Sequence, residues 1–256
     1  MSMSIKVLRF KNNKIPVYYF DSLGSTNEEL KNYRAKGDLP NYTTILASTQ
    51  LSGRGQRNNQ WYDEAGKSLL TSTFIKFYPE VSPLKVLLAF SLSAYYACLT
   101  EVDDIYIKWP NDIISEEGFK IAGILIENTI NSSGVSNTIG GVGINVSVMN
   151  FPPNIPNARS LEQLNNGKNT ISKDKLLEKY LDLLLGYLNF SIEALQNEYC
   201  SKLMGYQSYR IFHKIPQNEP VELKIIGVGE DGSLKTVDRA GIEQVFYNKE
   251  LEWVFV

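Results

Sequence analysis

The chain has 256 residues, 43% of them hydrophobic, which is enough to bury a sizeable core and to form one large unit with a small companion. Twenty-six basic against 28 acidic residues leave a net charge of -2, so no global field draws the chain to nucleic acid or to a membrane surface, and any anion site has to be built locally. One histidine, His213, and two distant cysteines, Cys98 and Cys200, exclude zinc-ligand spacing and a CxxC redox pair, so no protein-held metal is expected.

The N-terminal stretch MSMSIKVLRFKNNK lacks the apolar core of a signal peptide, and the most apolar run, 86–99, is broken by Ser91 and Ser93. A cytoplasmic location without a membrane span is expected. Residues 17–20 read as a strand, 21–27 as turn and cap chemistry, and Glu28-Glu29-Leu30 as a helix start, with Ser25 and Glu28 at capping-box spacing. Strands are expected at 43–47 and 69–77, with a glycine- and amide-rich loop between them. Ser82-Pro83 supplies an N-cap and a first-turn proline for a helix to residue 100, apolar on nearly every side and therefore buried. Runs at 105–107, 120–127 and 138–146 are rich in β-formers. Leu177, Leu181, Leu184, Leu188 and Leu195 recur at helical spacing between 172 and 204, with a break near Asn189. Beyond Arg210, short strands at 221–228, 233–237, 242–247 and 251–255 joined by Asp231-Gly232 and Ala240-Gly241 turns predict a small β-barrel beginning near Tyr206. The expected division is a unit over 1–205 and a smaller one over 206–256.

From 47 to 61 the sequence ASTQLSGRGQRNNQW has no acidic residue, two arginines and two glycines, an anion-binding composition. Gly53 and Gly55 let backbone amides approach a ligand, and Arg54 and Arg57 offer planar forks for phosphate or carboxylate oxygens. An exposed loop with incidental arginines is the plain alternative, against which Trp61 and the flanking strands argue for a tethered loop. Gly66-Lys67-Ser68 is not a Walker motif, because its leading position holds Trp61. Gly141-Val142-Gly143 is not a Rossmann fingerprint, because the third glycine is replaced by Val146. The turn Lys108-Trp109-Pro110-Asn111-Asp112 ends a short strand, and Lys120 opens another in which Ala122 and Gly123 leave room for close approach.

Ser25-Thr26-Asn27, Gln50 with GRGQRNNQW, GKSLLTS (66–72), KWPND (108–112), KIAGILIE (120–127) and GVGINV (141–146), in that order, resemble the biotin protein ligase family over nearly the whole chain. The resemblance implies an α+β fold, a mixed sheet flanked by helices as in class II aminoacyl-tRNA synthetases, followed by a small barrel like a Src-homology-3 domain. It implies that biotin and ATP are joined as biotinyl-AMP with release of pyrophosphate, and that biotin then passes to a lysine of a biotin carboxyl carrier protein or domain, such as that of acetyl-CoA carboxylase. Ser25, Thr26, Asn27 and Gln50 would hold the biotin head. Gly53, Arg54, Gly55, Gln56, Trp61, Lys120 and Gly123 would surround the rest of it. Arg54, Arg57, Trp61, Lys108, Asn111, Asp112, Lys120 and Asn145 would bind ATP, which arrives with Mg2+. Lys120, Arg54 and Arg57 would stabilise the transition state.

Two departures carry expectations of their own. Gln56 stands where the commoner GRGRxG form has an arginine and Asn58 where it has a glycine, so a weaker grip on the intermediate is expected. The two dozen residues before Ser25 leave no room for the DNA-binding helix-turn-helix of some relatives, so no nucleic-acid partner is expected. A lipoate or octanoate ligase is the nearest enzymatic alternative, and a single-strand nucleic-acid-binding module is the other, disfavoured by the net charge. A homodimer is left open, since an exposed strand edge can pair with a second copy or with the acceptor.

Overall fold

The computed structural model describes residues 3–10, 13–56 and 60–255. β1 (Met3–Phe10) and β2 (Asn13–Leu23) pair antiparallel, and α1 (Thr26–Ala35) carries the chain back so that β3 (Thr44–Gln50) runs parallel to β2. β4 (Ser68–Val81), α2 (Pro83–Leu99), β5 (Ile105–Lys108), β6 (Asp112–Ser115), β7 (Lys120–Asn131) and β8 (Gly134–Asn145) follow. They complete a mixed eight-stranded sheet in the order β1-β2-β3-β4-β8-β7-β6-β5. After α3 (Leu161–Leu164), α4 (Lys173–Tyr187) and α5 (Ile192–Lys202), the tail forms β9 (Tyr209–Lys214), β10 (Glu219–Val228), β11 (Leu234–Asp238), β12 (Glu243–Phe246) and β13 (Leu251–Trp253).

The α+β expectation holds, and the tail corrects it in one respect. Its strands form a five-stranded antiparallel sheet in the order β12-β11-β10-β9-β13, and among the described residues β12 and β13 remain edges, so the expected barrel does not close. The helical segment from 172 does break before Ser191, whose hydroxyl accepts from Ala194 N and starts α5. No helix among the described residues is long and apolar enough to cross a membrane.

The two faces of the large sheet have different tasks. α2, α4 and α5 cover one face with the main core, in which Phe90, Leu177, Tyr180 and Tyr199 are fully buried. α1 covers part of the other with a smaller cluster of Leu30, Ile45, Phe74 and Ile139, leaving the rest of that face open. Because side chains alternate along a strand, Gly140, Val142 and Ile144 of β8 face the main core while Gly141, Gly143 and Asn145 face the open side. At Gly140 a Cβ would sit 2.0 Å from the Phe90 ring, so α2 is seated directly on that glycine. Gly140→Ala is expected to cost about 1–3 kcal/mol through forced repacking, read from urea unfolding. An unchanged midpoint would mean that the ring moves aside freely.

Candidate active site

The open face holds a cleft whose empty volume, its open mouth included, is about 490 Å³. Its floor is made by pairing: Gly123 of β7 lies opposite Gly143 of β8, and Leu125 opposite Gly141, which in turn faces Ser72 of β4. Trp61 lies on the paired glycines. A Cβ at Gly143 would stand 2.8 Å from the indole and one at Gly123 3.1 Å, so any larger residue at 143 would lift the ring. The glycines of the GVGINV and KIAGILIE segments therefore act through space rather than through backbone angle.

At the α1 end, Ser25, Thr26 and Asn27 are all buried and line the cleft. The expected capping box is not formed. Ser25 is the N-cap of α1 by backbone geometry but its hydroxyl makes no cap bond, and Glu28 is drawn instead to Lys31 Nζ at 2.8 Å and Arg54 Nη1 at 3.2 Å. Gln50 Oε1 accepts from Thr26 N at 2.7 Å and from Thr26 Oγ1 at 3.1 Å. Ser72 Oγ lies 2.6 Å from Thr26 Oγ1 and 2.5 Å from Asn27 Oδ1, while Asn27 Nδ2 donates to Glu127 Oε2 at 2.7 Å. Glu127 Oε1 accepts from Lys31 at 2.7 Å, so hydrogen bonds run unbroken from Gln50 through α1 to Arg54. The hydrogen bond from Lys31 and its charge hold the Glu28 carboxyl below the usual range. Ser72, Glu127 and Lys31 are members of this network that sequence reasoning did not assign. The first two lie inside the GKSLLTS and KIAGILIE segments, which was the available signal.

The glycine loop enters and leaves at one place, since Trp61 N donates to Gly53 O at 3.0 Å and Arg54 bridges to Gln60. Gly53 thus closes the base of the loop, and Arg54, Gly55 and Gln56 line the cleft beside Trp61. Arg57 and Asn58 lie outside the described residues. Trp61 Nε1 is buried and has no acceptor among the described residues.

Lys120 reaches the site because of a bulge. Asp112 pairs with Gly123 and Ile113 with Ala122, but Ile114 pairs with Lys120, so one extra residue is inserted in β7. Both Ile121 and Ala122 stay in the main core, and Lys120 emerges on the open face with Asp112, its Nζ 2.7 Å from Asp112 Oδ1 and 5.6 Å from the centre of the Trp61 ring. Asn145 is buried behind it. Its Nδ2 donates to the carbonyls of Lys120 (3.4 Å) and Arg159 (3.2 Å), which braces the start of β7 rather than lining the cleft. Asn111 is held by a bond from its Nδ2 to Ile124 O at 2.6 Å.

A second cleft adjoins the first and runs between the KWPND turn and the tail sheet, lined by Lys108, Asp112, Lys120, Asn248, Lys249 and Trp253 among others. Burial lowers the Lys108 pKa, an effect the Lys120 charge adds to and the Asp112 and Glu252 charges oppose. Trp109 Nε1 donates to Gly232 O at 2.9 Å and ties the turn to the tail sheet. The structure therefore brings most of the expected residues to two joined clefts, with Gly53 and Asn145 as supports.

Between the loop and β4, both carboxylate oxygens of Asp63 are buried without an ordinary hydrogen bond among the described residues. Burial pushes its pKa up to about 6, and the nearby Ser68 hydroxyl, the Gln50 backbone and the Lys173 charge only partly oppose this. A carboxyl raised from about 3.9 in the unfolded chain favours folding below about pH 4 and loses that contribution as the pH rises through 6. Asp63→Asn should therefore match the parent in melting temperature near pH 4 and exceed it increasingly up to pH 7. A gap independent of pH would refute the burial argument.

Residues 19–145 match the family model described as the Biotin/lipoate A/B protein ligase family. The chain is 31% identical over 153 residues to the bifunctional ligase/repressor BirA of Bacillus subtilis, covering 57% of this chain and 46% of that protein. It is 30% identical over 106 residues to the biotin--[acetyl-CoA-carboxylase] ligase of Paracoccus denitrificans, covering 40% and 44%. The matched stretch thus spans less than half the length of these relatives. The fold resembles that of the biotin protein ligase from Aquifex aeolicus solved in complex with biotin and ATP, with a TM-score of 0.75 at 22% identity, covering 96% of this chain and 100% of that one. It also resembles a biotin protein ligase from Leishmania major, with a TM-score of 0.63 at 19% identity, covering 91% and 98%. The likeness to these two structures is one of fold. Taken with the ordered motifs that line the two clefts, the match places residues 19–145 of the chain in the biotin/lipoate A/B protein ligase family.

Proposed function

We propose that this protein is a biotin protein ligase: it condenses biotin with ATP to biotinyl-AMP and pyrophosphate, then passes biotin to a lysine amine of a biotin carboxyl carrier protein or domain. The observation that carries the choice of acid is the proton count at the α1 end of the cleft. The contacts Thr26 Oγ1 to Gln50 Oε1, Ser72 Oγ to Thr26 Oγ1 and Ser72 Oγ to Asn27 Oδ1 share only the hydroxyl protons of Thr26 and Ser72. One acceptor is left for an incoming donor. A cyclic urea brings N–H donors and a carbonyl acceptor to that place, whereas the dithiolane of lipoate and the alkyl end of octanoate bring neither. A site built from buried polar groups rejects a ligand that leaves them unpaired.

The other end of the cleft suits the reaction. A carboxylate must attack the α-phosphorus of a polyanion, so the site has to neutralise charge and hold the two in line. Arg54 lines the first cleft, Lys108 the second, and Lys120 both. The Lys120 ammonium, held by Asp112 until ligand arrives, would meet the carboxylate and the α-phosphate, with pyrophosphate departing along the second cleft. Mg2+ would come with the nucleotide and take most of its ligands from phosphate oxygens, and Asp112 and Glu252 are the carboxylates lining the second cleft that could add one. The acceptor amine then attacks the anhydride carbonyl, AMP leaves, and no nucleophile of the enzyme is needed. The 1–205 unit acts as the catalytic part with 206–256 as its companion, and a cytoplasmic location belongs to the same reading.

The test is ATP–pyrophosphate exchange with biotin, lipoate and octanoate offered separately. Stimulation by biotin alone is expected, and equal stimulation by lipoate or octanoate would overturn the choice of acid.

A further inference from the structure

Gln56 lines both clefts and bonds to the tail sheet, its Oε1 accepting from Asn248 Nδ2 at 2.7 Å across 192 residues of sequence. The donor sits in a braced turn. Glu250 N donates to Tyr247 O at 3.0 Å, Tyr247 N donates to Glu250 Oε2 at 2.7 Å, Ile215 N donates to Glu250 O at 2.9 Å, and Lys249 takes a positive φ of 76° between them. That turn is itself fixed relative to the catalytic face, because Tyr247 OH donates to Asp231 Oδ2 at 3.1 Å next to Gly232, the residue to which Trp109 is bonded. The loop is therefore anchored at its base by Gly53 and Trp61, and further along it by a neutral amide pair reaching from the other sheet.

We propose that Asn248 is a positioning residue that holds Gln56 where the two clefts meet and so keeps the acyl-adenylate of the ligase reaction from escaping before transfer. The inference rests on the ligase reading. A side chain at position 56 that held the intermediate by charge alone would need no partner in the tail. Glutamine brings no charge but offers a carbonyl to which the tail can bond, so the place of Gln56 over the two clefts depends on the second sheet. The bond is worth one net hydrogen bond, so its loss should raise the rate of escape by about fivefold.

The experiment measures, in the full chain supplied with biotin, ATP and a lysine-bearing acceptor, the ratio of pyrophosphate released to biotin transferred. Asn248→Ala and Gln56→Ala should each raise the excess of that ratio over one by about fivefold, and the double variant should exceed neither. The exchanged pair, Gln56→Asn with Asn248→Gln, keeps both amides and the summed side-chain length, and should return the ratio toward that of the parent. A ratio unchanged in Asn248→Ala, or effects that multiply in the double variant, would overturn the clasp. The ligase reading fails separately, if the parent shows no biotin-dependent pyrophosphate exchange.

Discussion

Replacing Lys120 by alanine is expected to lower biotin-dependent pyrophosphate exchange by about a hundred- to a thousandfold, the usual cost of removing one preorganised charge from a transition state. Among the described residues Lys120 is the cation that lines both clefts, and its ammonium is poised between Asp112 and the Trp61 ring. Arginine at this position should restore little, because a planar fork on a longer stem places its charge differently. Loss of Arg54 should cost less, about tenfold, since that guanidinium is exposed and already shared with Glu28. Near-parental exchange by Lys120→Ala, with biotin still bound, would remove the residue from the mechanism.

Gly141→Ala should raise the KM for biotin by about a hundredfold or more, because a misplacement of about 1 Å at a binding group has that effect. The added Cβ would stand 2.4 Å from Asn27 Oδ1, on a strand held on both sides and with an Asn27 side chain fixed by Glu127 and Ser72. Neither partner can retreat without breaking the network. The melting temperature distinguishes this from unfolding. Parental biotin affinity in a folded variant would show that Asn27 does not contact the ligand.

Much of the scaffold can be read locally. Ser82-Pro83 starts α2 where expected, and the leucine spacing marks α4 and α5, because those signals act within a turn of helix. β1 and β9 escaped such reading. MSIKVLRF and YRIFHK carry cations among their apolar residues and become strands only because β2, β10 and β13 offer edges to pair with. β6 hid in the polar end of the KWPND turn for the same reason. The capping box failed because Glu28 answers to Lys31 and to Arg54, which approaches from another segment. At the site, residue identities were legible as motifs, but the flat glycine floor, the Ser72 and Glu127 contacts and the Gln56–Asn248 bond depend on cross-strand pairing or on distant segments. Those have no signal in a local window.

The inserted residue at the start of β7 means that the machinery here is encoded partly in a count. Remove either Ile121 or Ala122, keep every charged group in the chain, and the ammonium of position 120 turns through the sheet to the oily side where α2 lies. A deletion that spares every reactive side chain would silence the protein as surely as losing the lysine itself.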